Sequence, residues 1–407
     1  MSVHFMEEHL QAYFLWKELG IHKAWCWHVD AHLDIGKAGL GPNRLAALKG
    51  CSTYSQAKQQ DLLGNSYLPW GGLHCGNYLY PAIQEGIVGR LTWVIPPDLP
   101  EGNLLVWARQ HINDWFELSL QEFASLRLEG KTVVGELLGI PFQMGTLEEL
   151  PLPEFPVLFD VDIDYFLLES GQPWAYSKDF LQATQSSSKI CSTVALSVKG
   201  GFTPESERSQ ADAFGPYESR RDADHTITPL DELAAKVRCH AYEDALSMTL
   251  CDDENRIEVA FLRGTSFQAL GRPAEALQVW IDLLGLDQIS QDGRAYLHGL
   301  CSELLLEAQK PREALKHSMA AQKIAPSDYR HFWTEAVARE ALGEQRKALR
   351  LLRKTVSMSE HVLFGLKARY ALSRIYKQQD KLGLAKIELQ KLAQLDVTGK
   401  FRAATML

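Results

Sequence analysis

The sequence predicts an α/β domain with a parallel sheet, followed by an all-α domain of repeated helical hairpins. In the first half, short apolar runs alternate with helical stretches, and the second half repeats one helical phrase about four times. The charge divides in the same way. Residues 256–407 hold 24 Lys and Arg against 16 Asp and Glu, whereas residues 1–255 hold 18 against 35. The two halves are therefore different kinds of domain.

Length and composition are those of a globular chain, with 407 residues of which 46% are hydrophobic and 23% charged. No apolar run reaches the length of about 18 residues that a membrane span needs, and the N-terminus lacks the features of a secretory signal. We therefore expect a cytoplasmic protein without a membrane partner. The seven scattered cysteines, with no CxxC, argue against a disulfide framework or a zinc ribbon. Basic residues in the repeats alternate with acids, which does not favour a nucleic-acid partner.

Five short runs in the first half predict buried strands, because they are apolar on both faces and rich in β-branched and aromatic residues. The runs are AWCWHV (24–29), RLTWVIP (90–96), KTVVGEL (131–137), FPVLFDVDI (155–163) and STVALSV (192–198). Helical stretches separate them, which is the pattern of a parallel sheet in an α/β fold. Ligands of such sheets bind at the carboxyl ends of the strands.

The first of these strands ends in the motif HVDAHLD. Asp30, His32 and Asp34 are spaced two apart, so they begin on one face of the strand. A loop that leaves the strand can then converge the three side chains on one point. A polar loop with a chance DxHxD is the alternative interpretation of this motif taken alone.

A second strand ends in FDVDIDYF, where Asp160 and Asp162 share one face and Asp164 follows in phase. Three aspartates this close repel one another unless a cation lies between them. The apolar residues around them predict burial, and buried carboxylates need a partner. Together the two motifs supply carboxylates and imidazoles, a hard ligand set that favours Mn²⁺ over zinc held by thiolates. The sequence therefore predicts a metal centre at the carboxyl edge of the sheet.

A polar stretch and a set of repeats follow the predicted sheet. Residues 202–228 contain few large aliphatic side chains and predict a loop or linker. The predicted boundaries are a metal hydrolase domain over 1–205, a linker with a connecting helix over 206–255, and helical repeats over 256–407.

The repeats share a turn followed by a small residue, in the phrases ALGRPAEAL, AQKPREAL, ALGEQRKAL and QQDKLGLA. The small residues are Ala276, Ala314, Ala348 and Ala385, spaced 38, 34 and 37 apart. Helix–turn–helix units of this period resemble tetratricopeptide repeats, since each hairpin must stack on the next to bury its apolar face. The resemblance implies a peptide-binding surface. The alternative is that the repeats form a homo-oligomer or only stabilise the chain.

The acidic motifs, DAHLD at 30–34 and FDVDIDYF at 159–166, resemble those of the ureohydrolase family of arginases and agmatinases. The resemblance implies an arginase-like three-layer domain that holds two manganese ions, with Asp30 and Asp160 bridging them. His9 and Asp34 would complete the coordination of one ion, and His32 and Asp162 that of the other. The implied metal ligands are His9, Asp30, His32, Asp34, Asp160 and Asp162.

The family has one further histidine ahead of its first motif. MEEHLQ supplies His9, 21 residues before Asp30, although the family has GGDH where this chain has MEEH. His4 and His22 are the alternatives.

The resemblance also implies the chemistry, in which a metal-activated hydroxide attacks a guanidinium carbon and releases urea and an amine. Asp34 would orient the hydroxide. The family holds the guanidinium with a Glu after a glycine-rich sequence, and ALSVKGGFTPESE offers Glu205, with Glu207 as the alternative. Neither stands at the family spacing, and Glu205 is equally typical of the first turn of a helix. His74, in GGLHCGNYLYP, is the candidate proton shuttle, against a structural role in a turn.

Two departures from arginases bear on the substrate. The matching half is shorter than an arginase domain, and DAHLDIG has Gly36 where arginases of free amino acids carry polar groups that grip the substrate. With its repeats, the chain resembles compact ureohydrolase-like proteins that include peptide arginases, which convert arginine residues of ribosomally made precursor peptides to ornithine. The repeats would then capture the arginine-containing peptide and raise its local concentration at the metals.

Three other functions remain open at the level of sequence. The first is a small-molecule ureohydrolase that acts on free arginine or agmatine, with the repeats serving assembly. The second is a metal-dependent deacetylase of the related fold, which uses a single zinc and would leave His9 and Asp34 without a role. The third is a scaffold whose metal site has decayed.

Overall fold

The structure is a computed structural model that describes residues 3–99, 102–168, 170–215, 226–250, 256–396 and 401, with only the backbone of residues 114 and 115. The chain divides into two compact units. The first comprises residues 1–116 and 125–272, and the second comprises residues 117–124 and 273–407. The described parts of residues 206–250 thus belong to the first unit, as does the helix that begins the predicted repeats. Residues 216–225 and 251–255 lie outside the described residues.

The first unit contains an eight-stranded mixed sheet. Its strands are β1 (Val3–Met6), β2 (Ala24–Val29), β3 (Val88–Val94), β4 (Arg127–Glu129), β5 (Thr132–Leu137), β6 (Ile140–Gly145), β7 (Val157–Asp162) and β8 (Lys189–Ala195). They lie in the order β1-β8-β7-β2-β3-β6-β5-β4. Along this order, every neighbouring pair from β1 to β6 is parallel, whereas β5 pairs antiparallel with both β6 and β4. The order places β1, β8, β7 and β2 side by side, with their carboxyl ends at one edge.

The five predicted strands are present, but one of them has a different direction. The run KTVVGEL forms β5, which is antiparallel to β6 and not part of a parallel sheet. The reason is the two-residue connection, where Leu138 has a φ of 53° and Gly139 a φ of 78°. A turn with two positive φ angles joins antiparallel neighbours.

Helices connect the strands of the first unit, and aromatic side chains fill its core. The helices are α1 (Gln11–Glu18), α2 (Pro42–Gly50), α3 (Tyr54–Gln59), α4 (Leu79–Gln84), α5 (Leu104–Phe116), α7 (Ser177–Ala183), α8 (Pro229–Arg238), α9 (Tyr242–Ser247) and α10 (Arg256–Ala269); α6 (Leu120–Ser125) begins in the second unit. Three short 3₁₀ segments lie at Cys75–Asn77, Ile163–Phe166 and Glu205–Ala213. Trp27, Phe159, Tyr165 and Phe166 are buried in one cluster around β2, β7 and β8. This core packs against strands β2, β7 and β8 and so fixes the positions of their ends.

The second unit is a helical solenoid. Its helices are α11 (Pro273–Leu284), α12 (Gln291–Glu307), α13 (Pro311–Ile324), α14 (Tyr329–Ala341), α15 (Gln345–Ser359), α16 (Leu363–Gln378) and α17 (Leu382–Leu395), and each packs on the next. The four alanines of the repeated phrase are buried. Gln309, Gly343 and Asp380 have positive φ angles of 57°, 77° and 56°, which end one helix and turn the chain into the next. No helix among the described residues is long and apolar enough to cross a membrane.

Candidate metal centre

The candidate centre lies at the edge where β1, β2, β7 and β8 end. His9 follows β1, Asp30 follows β2, and Asp162 is the last residue of β7. Parallel neighbours end at the same edge, so these side chains meet although they are far apart in sequence. His9, Asp30 and Asp162 are all at least 96% buried.

The Nδ1 atom of His9 is the point on which three carboxylates converge. It lies 3.1 Å from Asp162 Oδ2 and 3.2 Å from Asp30 Oδ2. Asp34 Oδ2 lies 3.6 Å away, and Asp34 has a left-handed φ of 54°, which is uncommon for a residue with a side chain. Asp34 is therefore turned into the cluster at a conformational cost, as is common at functional sites.

Asp160 lies on the other side of the His9 ring. Its Oδ1 lies 3.1 Å from His9 Nε2 and accepts a 2.5 Å hydrogen bond from Thr193 Oγ1. Its Oδ2 accepts a 2.5 Å bond from the Tyr78 hydroxyl and lies 3.1 Å from His28 Nδ1. Both carboxylate oxygens thus have their partners behind the ring. A carboxylate in this position orients a metal-binding imidazole.

A second group lies beside the first. His32 Nδ1 is 3.0 Å from Asp164 Oδ2 and 3.4 Å from Asp30 Oδ1. Asp164 reaches it because β7 ends at Asp162, whose side chain accepts a bond from the Asp164 amide and caps the 3₁₀ segment. The side chain of His32 is 48% exposed, whereas its acidic neighbours are buried. The cluster therefore reaches solvent on the side of His32.

The electrostatics of the cluster suit a cation. Burial and the charges of Asp162 and Asp30 raise the pKa of Asp164 to about 8. Burial and Asp30 raise the pKa of Asp34 well above its usual range. Burial alone would lower the pKa of His9, but the surrounding aspartates raise it well above the usual value. In this arrangement protons compensate the negative charge, and a bound divalent ion would replace them.

Several buried polar atoms of the cluster lack a hydrogen bond, which also favours a bound cation. Among the described residues, His9 Nδ1, Asp30 Oδ2 and both carboxylate oxygens of Asp164 are buried and lack a well-directed hydrogen bond. Buried polar atoms are nearly always satisfied, so unsatisfied ones call for a ligand or an ion. Their geometry allows one: ligand atoms of His9, Asp30 and Asp162 lie within 4.8 Å of one another, as do those of Asp30, His32 and Asp164. The residues present thus fit one or two hard divalent cations.

The structure joins most of the predicted ligands and gives Asp160 a different position. Asp160 faces its donors behind His9, and Asp164 Oδ2 lies 3.0 Å from His32 Nδ1. In the sequence, the indication for Asp164 was that it follows Asp160 and Asp162 at the same spacing of two residues. The alternatives to His9 lie elsewhere: His4 is within β1, and His22 is exposed in the connection before β2.

His74 caps the 3₁₀ segment at Cys75–Asn77. Its Nδ1 accepts a bond from the Gly76 amide at 3.1 Å, so the ring proton resides on Nε2, which is buried without a partner among the described residues. Burial and the charge of Arg238 lower the pKa of His74 to about 4. The imidazole is therefore neutral at pH 7, with one N–H to donate.

The predicted guanidinium-binding carboxylates lie at the start of the third 3₁₀ segment. Glu205 is its first residue, is 56% exposed and pairs through Oε2 with Arg208 Nε at 2.8 Å. Glu207 is partly buried in the same segment. Neither Glu205 nor Glu207 takes part in the contacts described above for the His–Asp cluster.

The comparisons with known proteins concern the helical part. No protein-family model and no curated protein matches the chain. MamA from Desulfovibrio magneticus RS-1 is 17% identical, with a TM-score of 0.37, over 43% of this chain and 99% of that one. A thermophilic TPR protein of Thermus thermophilus is 18% identical, with a TM-score of 0.32, over 44% of this chain and 92% of that one. TM-scores this low carry no argument about function, so the tetratricopeptide-like description rests on the repeated hairpins themselves.

Proposed function

We propose that the first unit is a metal-dependent hydrolase of the ureohydrolase type, and that it converts arginine residues of a peptide to ornithine with release of urea. The helical repeats would capture the peptide. The observation that carries the proposal is the convergence of Asp30, Asp34 and Asp162 on one buried nitrogen of His9. The DAHLD and FDVDIDYF motifs add the family resemblance.

The geometry supports a ligand set shifted by two residues from the one that the resemblance implies. His9, Asp34, Asp30 and Asp162 would hold the first cation, and Asp30 also belongs to the group that would hold the second. His32 and Asp164 would complete the second site. Asp160 would support His9 and bind no metal.

The chemistry follows from that set. Two hard cations held by these residues, taken as Mn²⁺, would lower the pKa of a bound water and supply a nucleophile at neutral pH. Asp34 Oδ2 lies 3.6 Å from His9 Nδ1 and would orient the nucleophile as a carboxylate, once the cation has displaced any proton it carries. His74 would serve as a neutral hydrogen-bond donor, because a group with a pKa of about 4 carries no extra proton at pH 7. The carboxylate that binds the guanidinium would be that of Glu205, with Glu207 as the alternative.

The role of the repeats is supported by one exposed face of α16. Lys367, Tyr370, Arg374 and Lys377 are exposed and spaced three, four and three apart, so they form one stripe. Arg374 pairs with Glu340, which leaves the stripe cationic at both ends. Charge complementarity favours an acidic peptide segment as its partner.

Mass spectrometry tests the proposal. The full chain, loaded with Mn²⁺, is incubated separately with free arginine, with a peptide that carries internal arginine, and with the same peptide carrying acetyl-lysine. We expect the arginine peptide to lose a CN₂H₂ unit and urea to appear in equal amount. A His9→Ala variant is the matched control and should leave every substrate unchanged.

The other outcomes each contradict part of the proposal. Turnover of free arginine alone would make the protein a small-molecule ureohydrolase. Loss of the acetyl group would make it a deacetylase. No turnover and no bound metal would leave the first unit without an enzymatic role.

A further inference from the structure

The glycine-rich loop after β8 is fixed to helix α8 by backbone contacts. Gly200 and Gly201 have φ angles of 83° and 74°, which only glycine adopts readily. A Cβ atom on Gly201 would lie 2.2 Å from the Ala235 amide nitrogen, so the loop and α8 touch backbone to backbone. The Gly200 amide also donates to Asp231 Oδ1 at 2.9 Å. Helix α8, which the sequence assigned to a linker, is therefore packed on the glycine-rich loop of the first unit.

Arg238, at the end of α8, clamps the same loop. Its Nε donates to the Gly200 carbonyl at 2.7 Å, and its Nη2 donates to the Ser66 carbonyl at 3.0 Å. These bonds hold the guanidinium plane over Phe202, with 3.4 Å between the guanidinium carbon and the ring centroid. A planar cation stacked on an aromatic face restricts the rotation of the ring.

Phe202 is in turn the aromatic neighbour of His32. The two ring centroids are 5.7 Å apart and the planes are inclined by 82°. This edge-to-face geometry is a favourable one for aromatic pairs. His32 is the exposed member of the proposed ligand set, with 48% of its side chain accessible, and so has the most freedom to leave its position.

We propose that Phe202, held by Arg238, is the residue that positions the His32 imidazole for the second cation. The inference rests on the proposed function, because it assumes the metal centre described above. Metal-binding imidazoles are usually oriented by a hydrogen bond from the second ring nitrogen, and an edge-to-face aromatic neighbour can restrict the same ring orientation. Here an aromatic ring would provide what a carboxylate provides for His9. Phe202 is thus a positioning residue, since it reaches the metal through His32.

Stepwise titration of the full chain with Mn²⁺ tests the inference. We expect Phe202→Leu to bind the first ion as the wild type does and the second about 2- to 12-fold more weakly, the range expected for loss of an edge-to-face aromatic pair. The electron paramagnetic resonance signal of two coupled Mn²⁺ ions should fall accordingly at limiting metal. Phe202→Tyr keeps the ring and should restore both. Phe267→Leu is a matched control, since Phe267 also stacks with an arginine, Arg272, at 4.6 Å.

The outcomes separate this inference from the proposed function. If the wild type binds no Mn²⁺, both fail. If the wild type and a folded Phe202→Leu variant bind two ions with equal affinities, only the positioning role is overturned. Should Phe202→Leu not fold, Arg238→Lys provides the second variant, because it keeps the charge and removes the stacked plane. An unchanged second affinity in Arg238→Lys would then contradict the inference.

Discussion

Asp160 Oδ1 lies 3.1 Å from Nε2 of His9, on the side of the imidazole away from the converging aspartates. The aspartates of the motif FDVDIDYF thus lie in two different environments. Asp160 hydrogen-bonds to an imidazole and to hydroxyl groups, whereas Asp162 faces Nδ1 of the same ring at 3.1 Å. The two carboxylates should therefore respond differently to substitution.

Asp160→Asn and Asp162→Asn should differ in metal content. Asp162→Asn removes a carboxylate that would hold the first cation, so we expect loss of that ion. Asp160→Asn weakens the orientation of His9, so we expect about 10- to 100-fold weaker binding with the stoichiometry retained. Metal analysis after equilibrium dialysis measures both. The reverse order of effects would return Asp160 to the ligand set.

His32→Ala and Asp164→Asn should each remove one ion and leave the other. Both residues belong to the second group, in which Asp164 Oδ2 lies 3.0 Å from His32 Nδ1. The measurement is the Mn²⁺ stoichiometry by calorimetric titration. A stoichiometry of two in either variant would contradict the assignment.

Metal binding at pH 7 should release protons. The pKa of Asp164 is raised to about 8 by burial and by Asp162, and that of Asp34 is raised well above its usual range by burial and by Asp30. Asp164, with a pKa of about 8, therefore holds its proton at neutral pH, and a cation must displace it, whereas the raised pKa of Asp34 acts in the same direction. Affinity should fall as the pH is lowered. Calorimetry in buffers of different ionisation enthalpy counts the protons, and a count of zero would contradict the prediction.

The free energy of unfolding should decrease as the pH falls from about 6.5 to about 4, in part because of His74. Burial and Arg238 lower its folded pKa to about 4, whereas the unfolded value is about 6.5. The unfolded chain therefore binds more protons in this window, and the stability present above pH 6.5 is lost by up to about 3 kcal/mol. His74→Asn keeps an acceptor for the Gly76 amide without the titration. Urea unfolding at several pH values should show a smaller slope for this variant, and an equal slope would exclude the effect.

The cationic stripe on α16 should matter for long peptides alone. Lys367→Glu with Lys377→Glu should raise the KM for an acidic, arginine-containing peptide about three- to tenfold and leave the kcat unchanged. A short arginine peptide should be unaffected. Lys386→Glu with Lys391→Glu makes the same charge change on the exposed face of α17 and is the matched control. Equal effects of the two double variants would mean that overall charge, and not the stripe, determines binding.

The strands and repeats were predictable because their signals are local. Apolar runs without polar interruptions become buried strands, and β2 follows the predicted run AWCWHV residue for residue. Strands β1, β4 and β6 were not predicted. They are short or partly exposed, so their composition differs little from that of loops. The antiparallel pairing of β5 depends on the turn at Leu138 and Gly139, which an apolar pattern does not report.

Local sequence patterns were enough to place acidic and imidazole groups at the ends of buried strands, because periodicity and burial are properties of neighbouring residues. Regular spacing was likewise enough to predict the helical repeats. Which groups face one another depends instead on the three-dimensional fold. Asp160, Asp162 and Asp164 are in phase along a strand, yet β7 ends at Asp162, and the 3₁₀ turn carries Asp164 to His32. The loop at Phe202 meets α8 in the same way, through contacts between residues distant in sequence, which no local pattern encodes.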